Sequence, residues 1–165
     1  PAKMILLYRN PLDQIVSWFY YEYINKRKLD VKLGDMIEPL IKNYSRHYHR
    51  TMLLNSALSK RAYLISYEEL VTNPSRSISR ILSFLELQKD ETLIDLCLEA
   101  SSKKEVKKEE AEKGSPIHSK SLSVNSFIRS GKIGDWRKYF TDDSLEEAIH
   151  LLSKHEIRLD DFVID

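Results

Sequence analysis

The sequence contains little cysteine and no long apolar run, and both shortages exclude classes of protein. Cys97 is the only cysteine among 165 residues, so no disulfide can form within the chain and a reducing compartment is expected. No stretch is apolar for long enough to cross a bilayer, and no signal peptide is visible. The formal net charge of +1 argues against a nucleic-acid-binding protein held by bulk charge. We therefore predict a cytoplasmic protein without a membrane span or a nucleic-acid partner.

The phosphate-binding signature G-x-x-x-x-G-K-[ST] is also absent, which disfavours a P-loop kinase. The remaining composition, with 42% hydrophobic and 31% charged residues, is typical of one folded domain with a sizeable core. The charge is unevenly distributed, because residues 1–61 carry 11 Lys and Arg against 5 Asp and Glu. This excess suits an anionic ligand, although surface lysines alone would also produce it.

The first twenty residues predict a strand, a tight turn and a helix. Met4–Tyr8 is a short apolar run, and we interpret it as a strand buried on both faces. Asn10 is placed to cap the following helix, with Pro11 at the first helical position and Asp13 at the third. The apolar stripe of this helix is predicted to consist of Ile15, Trp18, Phe19 and Tyr23.

This turn has the properties of an anion-binding site. The N-terminus of a helix presents unpaired N–H groups, and Arg9 would add a planar fork that matches phosphate oxygens. Ser17 lies about two turns along the same side, where its hydroxyl could reach the same phosphate. The alternative is an arginine paired with a carboxylate and a serine bonded to its own helix backbone.

Further along the chain, a second helix is predicted from Asp35 to about Ser56, and a second strand over 62–67. His47 and His49 lie two apart on that helix and point to opposite sides, so we predict no metal site there. Three more helices are predicted. The first begins at Pro74 and is capped by Asn73, and the last is capped by Thr141. The helix between them, over residues 90–100, is predicted to turn Leu93, Leu96 and Cys97 inward.

Residues 103–113 are almost all charged and predict either a solvated helix or a mobile loop. The serine-rich segment that follows leads us to predict a flexible lid over 103–124. Residues 127–141 form a basic, glycine-containing loop, in which Trp136 and Phe140 are expected to anchor the chain in the core.

Three blocks of this sequence resemble the sulfotransferases that use 3′-phosphoadenylyl sulfate (PAPS). Residues 9–17 match the pattern R-N-P-x-D-x-x-x-S, and Tyr67-Glu68-Glu69-Leu70 begins a segment similar to Y-E-D-L-x-x-x-P. Residues 127–141 resemble F-x-R-K-G-x-x-G-D-W-[KR]-x-x-F-T, with Ser130 where lysine is usual. The blocks occur in the family's order, and the resemblance covers nearly the whole chain, from Lys3 to about Leu152.

The resemblance implies roles for seven residues in nucleotide binding. Contacts to the 3′-phosphate are implied for Arg9 and Ser17 of the first block and for Arg129, Ser130 and Gly131 of the third. Tyr67 would contact the adenine ring, although a strand-end aromatic that completes the core is the alternative reading of that residue. Ser101 would keep the hydroxyl of the family's T-S-F segment, in which Lys103 replaces the phenylalanine.

The resemblance also implies an α/β fold of the P-loop-like, three-layer type with a parallel sheet, of which residues 1–165 form the C-terminal portion of a single domain. The family's 5′-phosphosulfate loop and its histidine base have no counterpart here, so no catalytic residue is assigned. The implied reaction transfers a sulfuryl group from PAPS to a hydroxyl or amine of a small-molecule or glycan acceptor, with 3′-phosphoadenosine 5′-phosphate (PAP) as product and without a metal. A non-catalytic nucleotide-binding module and a helical interaction module are the alternatives.

Overall fold

A computed structural model describes residues 2–27, 29–113 and 130–162 of the chain. Its two strands are β1 (Met4–Tyr8) and β2 (Ala62–Ser66). The helices are α1 (Pro11–Trp18), α2 (Ile37–Leu58), α3 (Tyr67–Thr72), α4 (Pro74–Leu85), α5 (Glu91–Ala100), α6 (Lys103–Lys113) and α7 (Asp142–Lys154). A π-helical segment, Phe19–Lys26, continues α1, and short 3₁₀ turns lie at Gly34–Met36, Ser59–Arg61, Asp135–Lys138 and Leu159–Phe162.

The two strands pair in parallel, from Met4 opposite Ala62 to Tyr8 opposite Ser66. Both predicted strands are confirmed, but the prediction that β1 is buried on both faces is wrong. Leu6 is buried, whereas Ile5 and Leu7 on the opposite face are 43% and 54% exposed. Among the described residues, β2 is the strand paired with β1, and α2 is the helix that makes the most extensive contact with β1, so burial is concentrated on one face.

The core lies where α2 packs against α1, α7 and the strands. On α2, Ile37, Leu40, Ile41 and Tyr44 are buried, and Tyr48 packs against this cluster. Other fully or nearly buried members of the cluster are Leu12, Ile15, Val16, Phe19, Ala148, Leu152 and Ile157. The core therefore ties the first helix of the chain to the last.

Some of the predicted helix caps form in the structure and others do not. Asn10 accepts hydrogen bonds from the backbone N–H groups of Leu12 (3.0 Å) and Asp13 (3.4 Å), as predicted. The Asn73 side chain makes no capping bond, because α3 ends immediately before it and the chain enters α4 directly at Pro74. Asp35 also caps nothing, since a 3₁₀ turn precedes α2 and the helix begins two residues later.

Asn10→Ala should therefore lower the free energy of unfolding by ~1 kcal/mol, since two N–H groups at the start of α1 lose their acceptor. Asn73→Ala is the matched control, because it makes the same change before a proline at a helix start without removing a capping bond. Urea unfolding of both variants measures the difference. Equal losses in the two variants would contradict the assigned cap.

The orientation predicted for α5 is wrong. Leu93 and Leu96 are 56% and 57% exposed, and Cys97 is exposed as well, whereas Ile94 is buried. The apolar residues of this helix are spread too widely for periodicity to define one stripe, and packing against α4 selects the side that carries Ile94.

The last elements agree with their predictions more closely. Thr141 caps α7 and shares a reciprocal capping box with Ser144. Trp136 and Phe140 pack against the core with their ring centroids 6.2 Å apart, which confirms that they anchor the loop before α7. Lys103–Lys113 is helical, the first of the two alternatives for this segment. The lid remains a prediction, and its residues 114–124 lie outside the described part of the chain.

Candidate functional site: the edge where both strands end

The parallel register brings Arg9 and Tyr67 together. Because Tyr8 pairs with Ser66, the next residue of each strand emerges at the same edge of the sheet, where α/β folds bind ligands. The guanidinium carbon of Arg9 lies 4.3 Å from the centroid of the Tyr67 ring. At this distance the cation is attracted by the ring face, and the ring holds the guanidinium in place.

Arg9 keeps an unused donor in this position. Its Nε is buried and has no hydrogen-bond partner among the described residues. A buried donor without an acceptor costs ~1–3 kcal/mol, so such a group indicates a place where a ligand supplies the acceptor. The alternative interpretation, an arginine paired with a carboxylate, is not what the described residues show, since Arg9 forms no ion pair with them.

Two residues that the sequence did not single out as site residues fix the backbone of this turn. Glu68 is 2% exposed, and its Oε1 accepts the N–H of Asn10 at 2.9 Å. The Tyr44 hydroxyl donates to the carbonyl oxygen of Arg9 at 2.8 Å. Glu68 stands inside the quoted Tyr-Glu-Glu-Leu block, but its partner lies 58 residues away, so no local pattern reveals the contact.

The glycine-containing loop reaches the same edge from the other end of the chain. The Tyr67 hydroxyl donates to the carbonyl oxygen of Gly131 at 3.4 Å, so Tyr67 contacts both Arg9 and the loop. Gly131 and Gly134 adopt left-handed backbone angles, φ 59° and 73°, which glycine tolerates without strain. Ser130 is half-buried beside Gly131, and Arg129 lies outside the described residues.

The other two predicted site residues are placed differently. Ser17 is half-buried on α1, two turns beyond Arg9, and does not line the cavity described next. Ser101 is exposed at the end of α5, where its hydroxyl donates to the carbonyl oxygen of Leu98 at 3.3 Å. The described contacts therefore join Arg9, Tyr67 and Gly131 directly, while the roles of Ser17 and Ser101 stay predictions.

A cavity of about 280 Å³ opens beside Arg9. Its walls are largely aromatic and come from β1, α1, α2 and the start of α3, with Trp18, Tyr44, His47, Tyr48 and Tyr67 among the lining residues. The rings of Trp18 and His47 meet edge to face, with their centroids 5.3 Å apart. Within the described ranges, no group of three or more His, Cys, Asp or Glu side chains is arranged to hold a metal ion.

Three tyrosines around this cavity favour their neutral form. Burial raises the pKa of Tyr44 well above the usual tyrosine value, and its neighbours Tyr48 and Glu68 raise it further. Burial is also the main cause of the raised pKa values of Tyr8 and Tyr48.

The protein should lose stability above about pH 10. An unfolded tyrosine releases its proton near that pH, whereas folded Tyr44 retains it. Ionisation therefore lowers the free energy of the unfolded state relative to the folded state, and the free energy of unfolding falls. The slope contributed by Tyr44 approaches ~1.4 kcal/mol per pH unit. Urea unfolding at pH 8 and at pH 10.5 measures it. In Tyr44→Phe the decline should be shallower, and an unchanged decline would contradict this assignment.

Comparison with known proteins identifies the family. A family model described as the sulfotransferase domain matches residues 1–155. The chain belongs to the sulfotransferase family. It is 26% identical to rat sulfotransferase 1E1 over 161 residues, which cover 93% of this chain and 55% of the relative. It is 30% identical to the guinea pig (Cavia porcellus) 3-beta-hydroxysteroid sulfotransferase over 154 residues, 88% of this chain and 53% of that relative.

A solved structure establishes the fold of this sulfotransferase chain. Mouse sulfotransferase SULT7A1, crystallised with PAP, matches 93% of this chain and 58% of its own length, with a TM-score of 0.75 and 22% identity. The predicted α/β fold of the P-loop-like type is thereby confirmed. The chain spans about half the length of the curated relatives that it matches. None of the helices in the described residues is both long and apolar enough to cross a membrane.

Proposed function

We propose that this chain supplies the 3′-phosphate and adenine half of the nucleotide site in a cytoplasmic sulfotransferase that uses PAPS. The observation that carries the proposal is the buried, unpartnered Nε of Arg9, held against the Tyr67 ring where two parallel strands end. A guanidinium in this setting suits a phosphate, and the half-buried aromatic ring of Tyr67 beside it suits a purine.

The residues divide between the two parts of the nucleotide. Arg9 binds the 3′-phosphate from one side, with the hydroxyl of Ser17, while the loop residues Arg129, Ser130 and Gly131 close on it from the other. The adenine lies against Tyr67, and the hydroxyl of Ser101 reaches its edge. The contact between Tyr67 and Gly131 supports this division, because it places the loop and the adenine platform side by side.

The reaction is the transfer of a sulfuryl group to a hydroxyl or amine of a small-molecule or glycan acceptor, with PAP released. An in-line transfer of this kind is accelerated by fixed positive groups and N–H donors around the bridging oxygens. The 5′-phosphosulfate loop and the base that takes the acceptor proton belong to another part of the domain, and no metal takes part.

The chain should bind PAP more tightly than adenosine 5′-phosphate (AMP), because only PAP carries the 3′-phosphate that Arg9 receives. Isothermal titration calorimetry with the two nucleotides measures the preference. Adenosine 2′,5′-bisphosphate is the matched control ligand, since it has the charge of PAP with one phosphate displaced. Equal affinity for PAP and AMP would refute the proposed site.

A nucleotide-binding module without catalysis is the second candidate, favoured by the lack of an assigned base in these residues. Transfer of labelled sulfuryl from PAPS, assayed with the residues encoded before Pro1 included, separates the two. PAP binding without any transfer to phenolic, alcoholic or amine acceptors would support the binding module instead.

A further inference from the structure

Asp13 connects the two ends of the chain through a buried carboxylate. The side chain is 1% exposed, although a carboxylate normally remains in water. Its Oδ2 accepts the backbone N–H of Gly134 at 2.7 Å, and its Oδ1 accepts the N–H of Trp136 at 3.0 Å. Both oxygens are thus used to hold one segment of backbone that lies more than 120 residues further along the chain.

The segment that Asp13 holds lies within the glycine-containing loop. Gly134 and Trp136 follow Gly131 closely, and the Trp136 ring is packed against the core. Tyr67 contacts the same loop at the carbonyl oxygen of Gly131. Residues 131–136 are therefore held by Tyr67 at the first position and by Asp13 at Gly134 and Trp136.

Asp13 is also held by hydrogen bonds in the turn that contains Arg9. It is the third residue of α1, and its own N–H bonds to the capping oxygen of Asn10 at 3.4 Å. Asn10 in turn follows Arg9 directly and is held by Glu68. One residue therefore relates the arginine on one side of the proposed phosphate site to the backbone donors on the other side.

We propose that Asp13 is a positioning residue for the 3′-phosphate, which sets the distance between Arg9 and the loop at Ser130 and Gly131 without contacting the nucleotide itself. This inference rests on the proposed function. A carboxylate is required because both of its oxygens accept hydrogen bonds. The amide of asparagine would point an NH₂ group at one of the two backbone N–H groups, and the longer side chain of glutamate has no space at a fully buried position.

The test is the preference for PAP over AMP, measured by calorimetry on the wild-type chain and on Asp13→Asn. We expect Asp13→Asn to reduce PAP affinity about tenfold. This is the size of effect expected when one charge-assisted hydrogen bond is lost. AMP affinity should remain within about twofold, so the preference for PAP should fall by about the same factor as PAP affinity does. A merely structural role would lower the folded fraction and reduce both affinities equally, which leaves their ratio unchanged and overturns the proposal.

Asp35→Asn is the matched control, since it makes the same change at an exposed carboxylate in the 3₁₀ turn before α2. Thermal unfolding monitors the fold of each variant. If Asp13→Asn does not fold, Gly134→Ala decides, because alanine is strained at the left-handed backbone angle of this position (φ 73°) and perturbs the loop while Asp13 stays intact. An unchanged preference in that variant overturns the proposal, and a reduced one supports it.

The wild-type measurement keeps this inference distinguishable from the proposed function. A wild-type chain that does not prefer PAP refutes the nucleotide site and the role of Asp13 together. A wild-type preference that survives in Asp13→Asn refutes the role of Asp13 alone.

Discussion

We expect Arg9→Ala to weaken PAP binding by ~1.5–3 kcal/mol, or about 10- to 150-fold, and to leave the fold intact. The size of the loss is that of hydrogen bonds to a charged group, since the variant removes the one buried donor that has no partner among the described residues. The fold survives because the Arg9 side chain forms no ion pair with those residues, and the backbone of the turn is held by Glu68 and Tyr44.

Calorimetry measures the affinity of the variant for PAP, and thermal unfolding of the same sample shows whether the variant is folded. Arg9→Lys keeps the charge but loses the planar fork, so its affinity should fall between those of the parent and Arg9→Ala. Arg76→Ala is the control, since Arg76 is exposed on α4 and does not line the cavity. An Arg9→Ala protein that binds PAP as well as the parent, or one that is unfolded, would remove Arg9 from the site.

Leu40→Ala lowers the free energy of unfolding by ~2–5 kcal/mol, the largest effect that we expect from a single substitution. Leu40 is 3% exposed on the inner side of α2, which packs against α1 and α7. Truncation loses the burial of the side chain and leaves a cavity that neighbouring residues fill only in part. For a protein of this size the melting temperature should drop by about 2–4 °C for each kcal/mol.

Leu53→Ala makes the identical change on the same helix and serves as its control. Leu53 is 68% exposed, so its truncation should alter the free energy of unfolding by no more than about 0.5 kcal/mol. Denaturant unfolding of both variants gives the comparison. Similar losses at the two positions would mean that α2 does not pack as described.

The sequence predicts features that depend on neighbouring residues. The bounds of β1, the Asn10 cap and the Thr141 cap each follow from a few adjacent side chains, and the structure confirms them. The Asn73 cap fails although it has the same Asn-Pro pattern as Asn10. There the preceding residues already form α3, and no local pattern states where the previous helix ends.

Features that depend on distant partners could not be predicted in this way. A carboxylate at the third position of a helix is usually explained by the helix dipole, and nothing near Asp13 signals that its partners lie at Gly134 and Trp136. The exposure of Leu93 and Cys97 has the same origin, because periodicity describes a helix surface but not the element that will cover it. The proximity of Arg9 and Tyr67 agrees with the resemblance, which implies that both residues contact one nucleotide, and the parallel register of β1 and β2 explains it.

The contacts of Asp13 also set an order of events during synthesis on the ribosome. Arg9, α1 and the Asn10 cap leave the ribosome early, and β1 can pair with β2 once β2 has been synthesised. The Asp13 carboxylate cannot accept its two hydrogen bonds until the amide groups of Gly134 and Trp136 leave the ribosomal tunnel. Closing so long a loop carries a substantial entropy cost, which the hydrophobic contacts of α7 with α2 help to offset. We therefore expect the proposed nucleotide site to form only after residue 136 has been made, and nascent chains released before residue 136 should bind no PAP.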